Sequence, residues 1–305
     1  MRQLKTIRTY TPVALSNGLS TARQYAHIRS GLRLSRPNMI YVTITERCNL
    51  RCKYCHSWKA RGEGELPAEV WVRAFTELLG WARHPKINFS GGEPFIRNDI
   101  FEILESTTSR GAVTGVGTNG YTMTPRMAPR VVGLGLSNIN ISIDSLEAKI
   151  FDDLRAENRP GHTGRVVESI RRVVSEIRRQ EKNTKVYLKA VVCGVNVDSL
   201  VPMVRFVEEE GMSGIIFQPL EAVFGTEAPD YGDAWYKHTP LWPKETGRLA
   251  DIARQLIEMK QRGAPIVTPM SSLEAWAPYF EDPINGIKDH EPAHATGPVR
   301  GDRDL

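Results

Sequence analysis

Three of the four cysteines in the chain, Cys48, Cys52 and Cys55, fall within eight positions, with three and then two residues between them. A disulfide framework spreads even numbers of cysteines through a short secreted chain, whereas a tight, odd group points to metal in a reducing compartment. Three thiolates can wrap one face of a compact iron–sulfur cluster and leave one iron without a protein ligand, as catalytic metal sites keep an open position. Two other readings compete: a structural zinc completed by His56, which would be strained beside Cys55, and packing cysteines with no ligand. Further polar signatures follow. Ser90-Gly91-Gly92-Glu93-Pro94 sets a carboxylate suited to an ammonium group beside two glycines that let a ligand approach the backbone. Thr118-Asn119-Gly120 and Ser142-Ile143-Asp144-Ser145 add small polar groups. Each of these three motifs, taken alone, also reads as a turn.

The elements that must position these residues are legible from residue 39 onward, where short β-branched runs alternate with longer amphipathic stretches, the pattern of βα units on a parallel sheet. The predicted strands are Met39 to Thr45, Lys86 to Ser90, Ala112 to Thr118, Asn138 to Asp144, Lys185 to Cys193 and Gly214 to Pro219. The predicted helices between them are Ala68 to Arg83, Asp99 to Arg110, Pro125 to Leu134, Gly164 to Gln180 and Asp198 to Glu210. Six strands are too few for the closed eight-stranded barrel and leave two α/β choices, a doubly wound sheet or an open partial barrel. In both, ligands sit at the carboxyl ends of the strands, where every motif above lies.

The Cys-x3-Cys-x2-Cys spacing with an aromatic residue, Tyr54, before the third cysteine resembles the radical S-adenosylmethionine (radical SAM) superfamily. The resemblance covers about residues 39 to 220 and implies an open (β/α)6 partial barrel of TIM type with parallel strands. It implies a 4Fe-4S cluster on Cys48, Cys52 and Cys55, with SAM chelating the fourth iron. By the same resemblance Gly91, Gly92 and Glu93 contact the SAM amino group, and Thr118, Asn119, Ser142 and Asp144 help to place its carboxylate and ribose. Arg155 is expected to pair with the SAM carboxylate, in competition with Arg159 and Arg165, and Val192 and Phe217 are candidates to flank adenine. The implied chemistry is reductive cleavage of SAM to a 5′-deoxyadenosyl radical that takes hydrogen from a peptide or a small biosynthetic intermediate. An electron donor such as a flavodoxin or ferredoxin would accompany it. Lys86 to Phe95 and Ser142 to Ser145 are most similar to the branch holding the molybdenum-cofactor synthase, viperin-like proteins and peptide maturases. Many of those maturases carry auxiliary clusters in a cysteine-rich C-terminal domain. No cysteine follows Cys193, so that domain is absent or the chain stops before it, and Tyr279 to Pro283 resembles the approach to one. The alternatives are a zinc-stabilised binding module and an inactive, cluster-bearing partner subunit.

The rest of the chain bounds the function. Apolar residues at 41% and charged residues at 25% are ordinary globular usage, which disfavours disordered, collagen-like and coiled-coil classes. The longest nearly apolar run, Tyr187 to Val197, is broken by Lys189 and Asn196 and is far too short for a membrane span. Within it Cys193 lies alone, where a free thiol is usually a small buried hydrophobe. A net charge of +5 is too small to indicate nucleic acid, and the arginines from Arg171 to Arg179 read as a solvated helix face. Residues 1–38 form an expected basic arm: the first 45 residues hold seven Lys or Arg and no acid, which also suits a transit peptide or an acidic partner. Without a secretory signal, the expected location is cytoplasmic. Residues 221–305 are expected to be a C-terminal extension with one helix from Lys244 to Arg262 and a mobile tail from Asp282. In it Trp235, Tyr236, His238 and Trp242 form a substrate mouth or a lid packed on the core.

Overall fold

The computed structural model describes residues 25–26, 29–30, 36–60, 62, 64–82, 85–155, 161–222 and 232–286. Most of the basic arm, Arg159 and the tail from residue 287 lie outside the described residues. Six parallel strands run in the order of the chain: β1 (Met39–Thr45), β2 (Lys86–Gly91), β3 (Val113–Thr118), β4 (Asn138–Ser142), β5 (Lys185–Val192) and β6 (Gly214–Pro219). β1 and β6 do not pair, so the sheet is an open partial barrel rather than a closed or doubly wound one. The connecting helices are α1 (Ala68–Ala82), α2 (Ile100–Thr108), α3 (Met127–Gly133), α4 (Ala148–Arg155), α5 (His162–Arg179) and α6 (Leu200–Glu209). The sequence reading finds all six strands and five of these helices and misses α4, whose eight residues follow a turn without a gap in polarity.

Strand periodicity sorts the residues by face. Val42, Ile44, Ile87, Phe89, Val116, Ile139, Ile141, Leu188 and Phe217 are buried under the helices in one apolar core. The intervening positions, Tyr41, Asn88, Asn140, Lys189 and Gln218, line a cavity inside the barrel. Alternate residues of one strand therefore serve two tasks, wall packing outside and polar lining inside. At β3 the inward positions are Gly115 and Gly117. A Cβ on Gly115 would lie 2.4 Å from Oδ1 of both Asn88 and Asn138, so the missing side chain makes room for two carboxamides.

The C-terminal extension is packed onto this barrel. Beyond a 3-10 segment at Gly232–His238 come α7 (Thr246–Gln261), α8 (Met270–Glu274) and α9 (Trp276–Glu281). Ile266 forms a parallel bridge with Ile215, which covers the edge of β6. Leu249, Leu256, Trp276 and Phe280 join the barrel's own core. Trp235 and Trp242 pack against the core: the Trp242 ring lies tilted on Phe280, with centroids 4.8 Å apart, and donates its indole N–H to Phe280 O at 3.1 Å, with Trp235 and Tyr236 packed around it. Among the described residues no helix is long and apolar enough to cross a membrane.

Asn196, one of the two polar breaks in the apolar run, is a fully buried tie between β4 and β5. Its Nδ2 donates to Asp144 O and Val191 O, both at 2.8 Å, and its Oδ1 accepts from Cys193 N at 2.9 Å. Cys193 itself is buried among apolar side chains, as its surroundings in the sequence suggest. Replacing Asn196 by Ala strands three buried backbone groups, and chemical denaturation should show a loss of about 2–4 kcal/mol.

Candidate active site

The cysteine loop leaves the end of β1 and crosses the mouth of the barrel. Cys48, Cys52 and Cys55 all line the same cavity, of about 270 Å³, together with Ser90, Gly91, Gly92, Thr118, Asn119, Ser142 and Arg155. Burial pushes the Cys48 thiol up and the Cys52 thiol up to about 12, with Arg155 pulling the latter back only in part. Bare thiolates are therefore disfavoured here, and a positively charged soft metal core is what would hold these sulfurs deprotonated. Three thiols around one cavity fit a cluster in donor type and number. The zinc arrangement with His56 is not assembled: His56 Nδ1 lies 3.4 Å from Lys59 Nζ, and among the described residues no three metal-binding side chains converge on a single-ion site.

Glu93 sits opposite the loop, fully buried at the end of β2. Its Oε1 accepts from Phe95 N at 3.1 Å and Thr118 Oγ1 at 2.8 Å, and its Oε2 accepts from Asn119 N at 2.7 Å. Burial raises its pKa to about 7, against the pull of those three hydrogen bonds. No ion pair to it occurs among the described residues, so its burial is offset only by these three hydrogen bonds. Gly91 and Gly92 do more for the loop than the ligand-approach reading anticipates. A Cβ on Gly91, at φ +116°, would meet Thr45 O at 2.1 Å, and one on Gly92 would meet Arg47 O at 2.0 Å. The glycines thus admit the backbone that leads into Cys48, and Gly92 N and Glu93 N donate to Thr45 O and Arg47 O at 2.7 and 2.9 Å.

Thr118 and Asn119 hold this arrangement rather than facing the cavity freely. Beyond its bond to Glu93, Thr118 Oγ1 accepts from Gly120 N at 3.1 Å, and Asn119 Nδ2 donates to Asn49 Oδ1 at 2.8 Å beside Cys48. Ser142 lines the cavity directly. Asp144 does not: all its acceptor positions are taken within the protein. Its Oδ2 accepts from Arg155 Nε at 2.6 Å and Tyr54 Oη at 2.7 Å, and its Oδ1 accepts from Arg155 Nη2 and Val191 N, both at 2.9 Å. Burial works against the charge on Arg155, but the Asp144 carboxylate outweighs it and leaves the guanidinium firmly protonated. Asp144 and Arg155, expected as separate SAM contacts, are each other's partners, although Arg155 also borders the cavity. Arg165 turns away to Tyr121, with its Nε donating to Tyr121 O at 3.1 Å.

The same pair grips the cysteine loop. Tyr54 reaches Asp144, Lys53 N donates to Leu154 O at 2.9 Å, and Lys53 Nζ bridges to Asp153 at 2.6 Å. The sequence reading gives Tyr54 only an aromatic place and does not anticipate its hydroxyl bond. It also does not single out Asn88, Asn140 or Gln218 for the cavity, although polar residues at alternate positions of apolar strands are a readable signal. Val192 and Phe217 are core residues, and their neighbours Val191 and Gln218 line the cavity instead.

Comparison with known proteins follows the geometry. The model of the radical SAM superfamily matches residues 42–207, more than half of the chain. The chain is 29% identical over 270 residues to the pre-heme d1 synthase of Dinoroseobacter shibae, covering 87% of this chain and 61% of that protein. It is 33% identical over 175 residues to a probable GTP 3′,8-cyclase of Methanocella arvoryzae, covering 56% of this chain and 53% of that one. It therefore spans only between about half and three-fifths of the length of these relatives. In fold it is similar to Streptococcus suis SuiB bound to precursor peptide SuiA, with a TM-score of 0.62 and 18% identity over 86% of this chain and 56% of SuiB.

Two predictions test this geometry. The folded pKa of Glu93 lies above its ordinary 4.5, so the folded state favours the protonated acid. Its contribution to stability is fully present below pH 4.5 and is lost as pH rises to about 7. Relative to Glu93→Gln, the unliganded protein should lose about 3 kcal/mol across that window in denaturation curves taken at successive pH values. Arg155→Met leaves the buried Asp144 carboxylate without its cation and should lower stability by about 3–5 kcal/mol, whereas Arg155→Met with Asp144→Asn should recover part of that loss in a double-mutant cycle.

Proposed function

The chain belongs to the radical SAM superfamily, and from that premise we propose that it cleaves SAM reductively and directs the resulting radical at a hydrogen of a peptide or a small biosynthetic intermediate. The cofactors are those of the family, a 4Fe-4S cluster and SAM. When bound, they supply the one-electron chemistry that generates the radical. The observation that carries the reading is the convergence of three thiols on one cavity, with the buried carboxylate of Glu93 held behind that wall by Thr118 and Asn119.

The chain's own residues then divide the work. Cys48, Cys52 and Cys55 hold the cluster. Glu93 accepts the ammonium group of SAM, whose charge offsets the burial of the carboxylate, and Thr118 and Asn119 keep that carboxylate aimed. Ser142 is available to the ribose or carboxylate. Asp144 and Arg155 act as positioning residues through the cysteine loop and through the backbone of β5. The barrel wall keeps water and stray hydrogen donors from the reacting atoms, as the radical step requires. A one-electron donor such as a flavodoxin or ferredoxin approaches the loop from the barrel mouth.

The test is anaerobic reconstitution with iron and sulfide, followed by dithionite and SAM and an assay for 5′-deoxyadenosine. The wild-type protein should be brown and release 5′-deoxyadenosine, and a variant with Cys48, Cys52 and Cys55 all changed to Ala should do neither. Stoichiometric zinc in place of iron, or a brown protein that leaves SAM intact, would overturn the proposal.

A further inference from the structure

The interior of the barrel carries a cation that the family's cofactors do not explain. Lys189 stands on β5 at an inward position, in register with Ser142 on β4 and Ile216 on β6. It is the residue that interrupts the apolar run of β5, and its side chain lines the same cavity as the three cysteines. Among the described residues its ammonium group has no hydrogen bond or ion pair. Burial lowers its pKa and the positive Arg155 adds to this, while the charge of Glu221 works the other way. That acid is exposed and already accepts from Gln218 Nε2 at 3.0 Å.

The rest of the lining has a matching chemistry. The charged side chains on the cavity wall are Arg155 and Lys189, with no Asp or Glu between them. Arg155 is neutralised by Asp144 at 2.6 Å, which leaves the charge of Lys189 as the one without a direct counterion on that wall. Ser142 faces it from β4, and Asn140 lies two residues before Ser142 on the same face. Its Oδ1 accepts from Asn138 Nδ2 at 3.2 Å, so its own amide N–H groups remain for the cavity. A half-buried ammonium group facing a hydroxyl, with a carboxamide donor on the same wall and no carboxylate in the lining, is a receptor for an oxyanion.

We infer that Lys189, with Ser142 across from it and Asn140 on the same face of β4, binds a carboxylate or phosphate group of the substrate inside the barrel. The inference rests on the proposed radical SAM reading for the word substrate and deepens it by giving the substrate an anionic group. The carboxylate of SAM is the other source of the same chemistry. Ser142, offered to SAM above, stands directly across from Lys189, so the SAM arm of the test separates the two sources.

The test uses reconstituted protein saturated with SAM, at fixed ionic strength, with pyrophosphate and citrate as phosphate and carboxylate probes in separate calorimetric titrations. At least one probe should bind saturably. Lys189→Met should weaken it about tenfold or more and Lys189→Arg should retain it within about threefold, as loss or retention of one charge-assisted hydrogen bond requires. In parallel, equilibrium dialysis with labelled SAM should give Lys189→Met the wild-type affinity. The inference is overturned if neither probe saturates, if Lys189→Met binds the probe as the wild type does, or if it weakens SAM about tenfold, which would assign the lysine to the SAM carboxylate. Thermal melts of Lys189→Met and of Lys189→Gln separate misfolding from loss of the site. Binding of these probes does not depend on SAM cleavage, so failure here and failure of 5′-deoxyadenosine release are distinguishable.

Discussion

The buried ion pair of Asp144 and Arg155 is the constraint on which the candidate site depends. Both side chains lie out of water, where an unpartnered charge is strongly unfavourable and a satisfied pair roughly breaks even. The pair is satisfied in full: two guanidinium hydrogen bonds, one from the Tyr54 hydroxyl and one from the Val191 amide fill the carboxylate. Three separate segments therefore meet on one side chain just beyond the end of β4. They are the cysteine loop through Tyr54, the end of α4 through Arg155, and β5 through its backbone. Shifting any of them leaves a charge unmet in the interior, which makes the relative position of loop, helix and strand stiff. Stability does not account for such an arrangement, since an apolar substitute of equal volume commonly does as well. What the pair provides is placement of Cys52 and Cys55 at a fixed height above the sheet.

A second anchor acts from the other side of the loop. Gly91 and Gly92 let the backbone of Thr45 and Arg47 come closer than any Cβ would permit, and the amides of Gly92 and Glu93 bond to it. The same short stretch then buries the Glu93 carboxylate under Thr118 and Asn119. Close approach and uncompensated acid are consequences of one turn. The loop carrying the thiols is thereby fixed to β2 at its start and to β4 at its end, with the cavity between the two anchors.

Much of this was legible in the sequence, and the physical reason lies in period and spacing. All six strands follow from β-branched runs alternating with amphipathic stretches, their open-barrel order follows only from the family resemblance, and the grouping of the three cysteines follows from spacing. What the sequence does not reveal is partnership. Asp144 and Arg155 both look like ligand-binding groups, because a charged residue near a strand end reads the same whether it faces a cavity or another charge. Tyr54 looks like a packing aromatic for the same reason. The one-residue error at Val192 and Phe217 has a different origin. A fully buried parallel strand is apolar on both faces, so an apolar run does not say which residues point inward.

The polar residues on those strands do say it. Asn88, Asn140, Lys189 and Gln218 each stand between apolar neighbours, and each takes the inward position. The outer face can be built from Val, Ile, Leu and Phe without regard to chemistry, because packing against helices asks only for shape and apolarity. The inner face pays nothing in wall stability for carrying amides and an ammonium group, provided the lumen is wet or filled. The wall's two faces are thus independent: the outer one determines that a barrel forms, and the inner one determines what the barrel can hold. A lysine maintained inside without a direct counterion is the point at which the second of these becomes specific, since only a ligand that brings negative charge restores the balance that burial has disturbed.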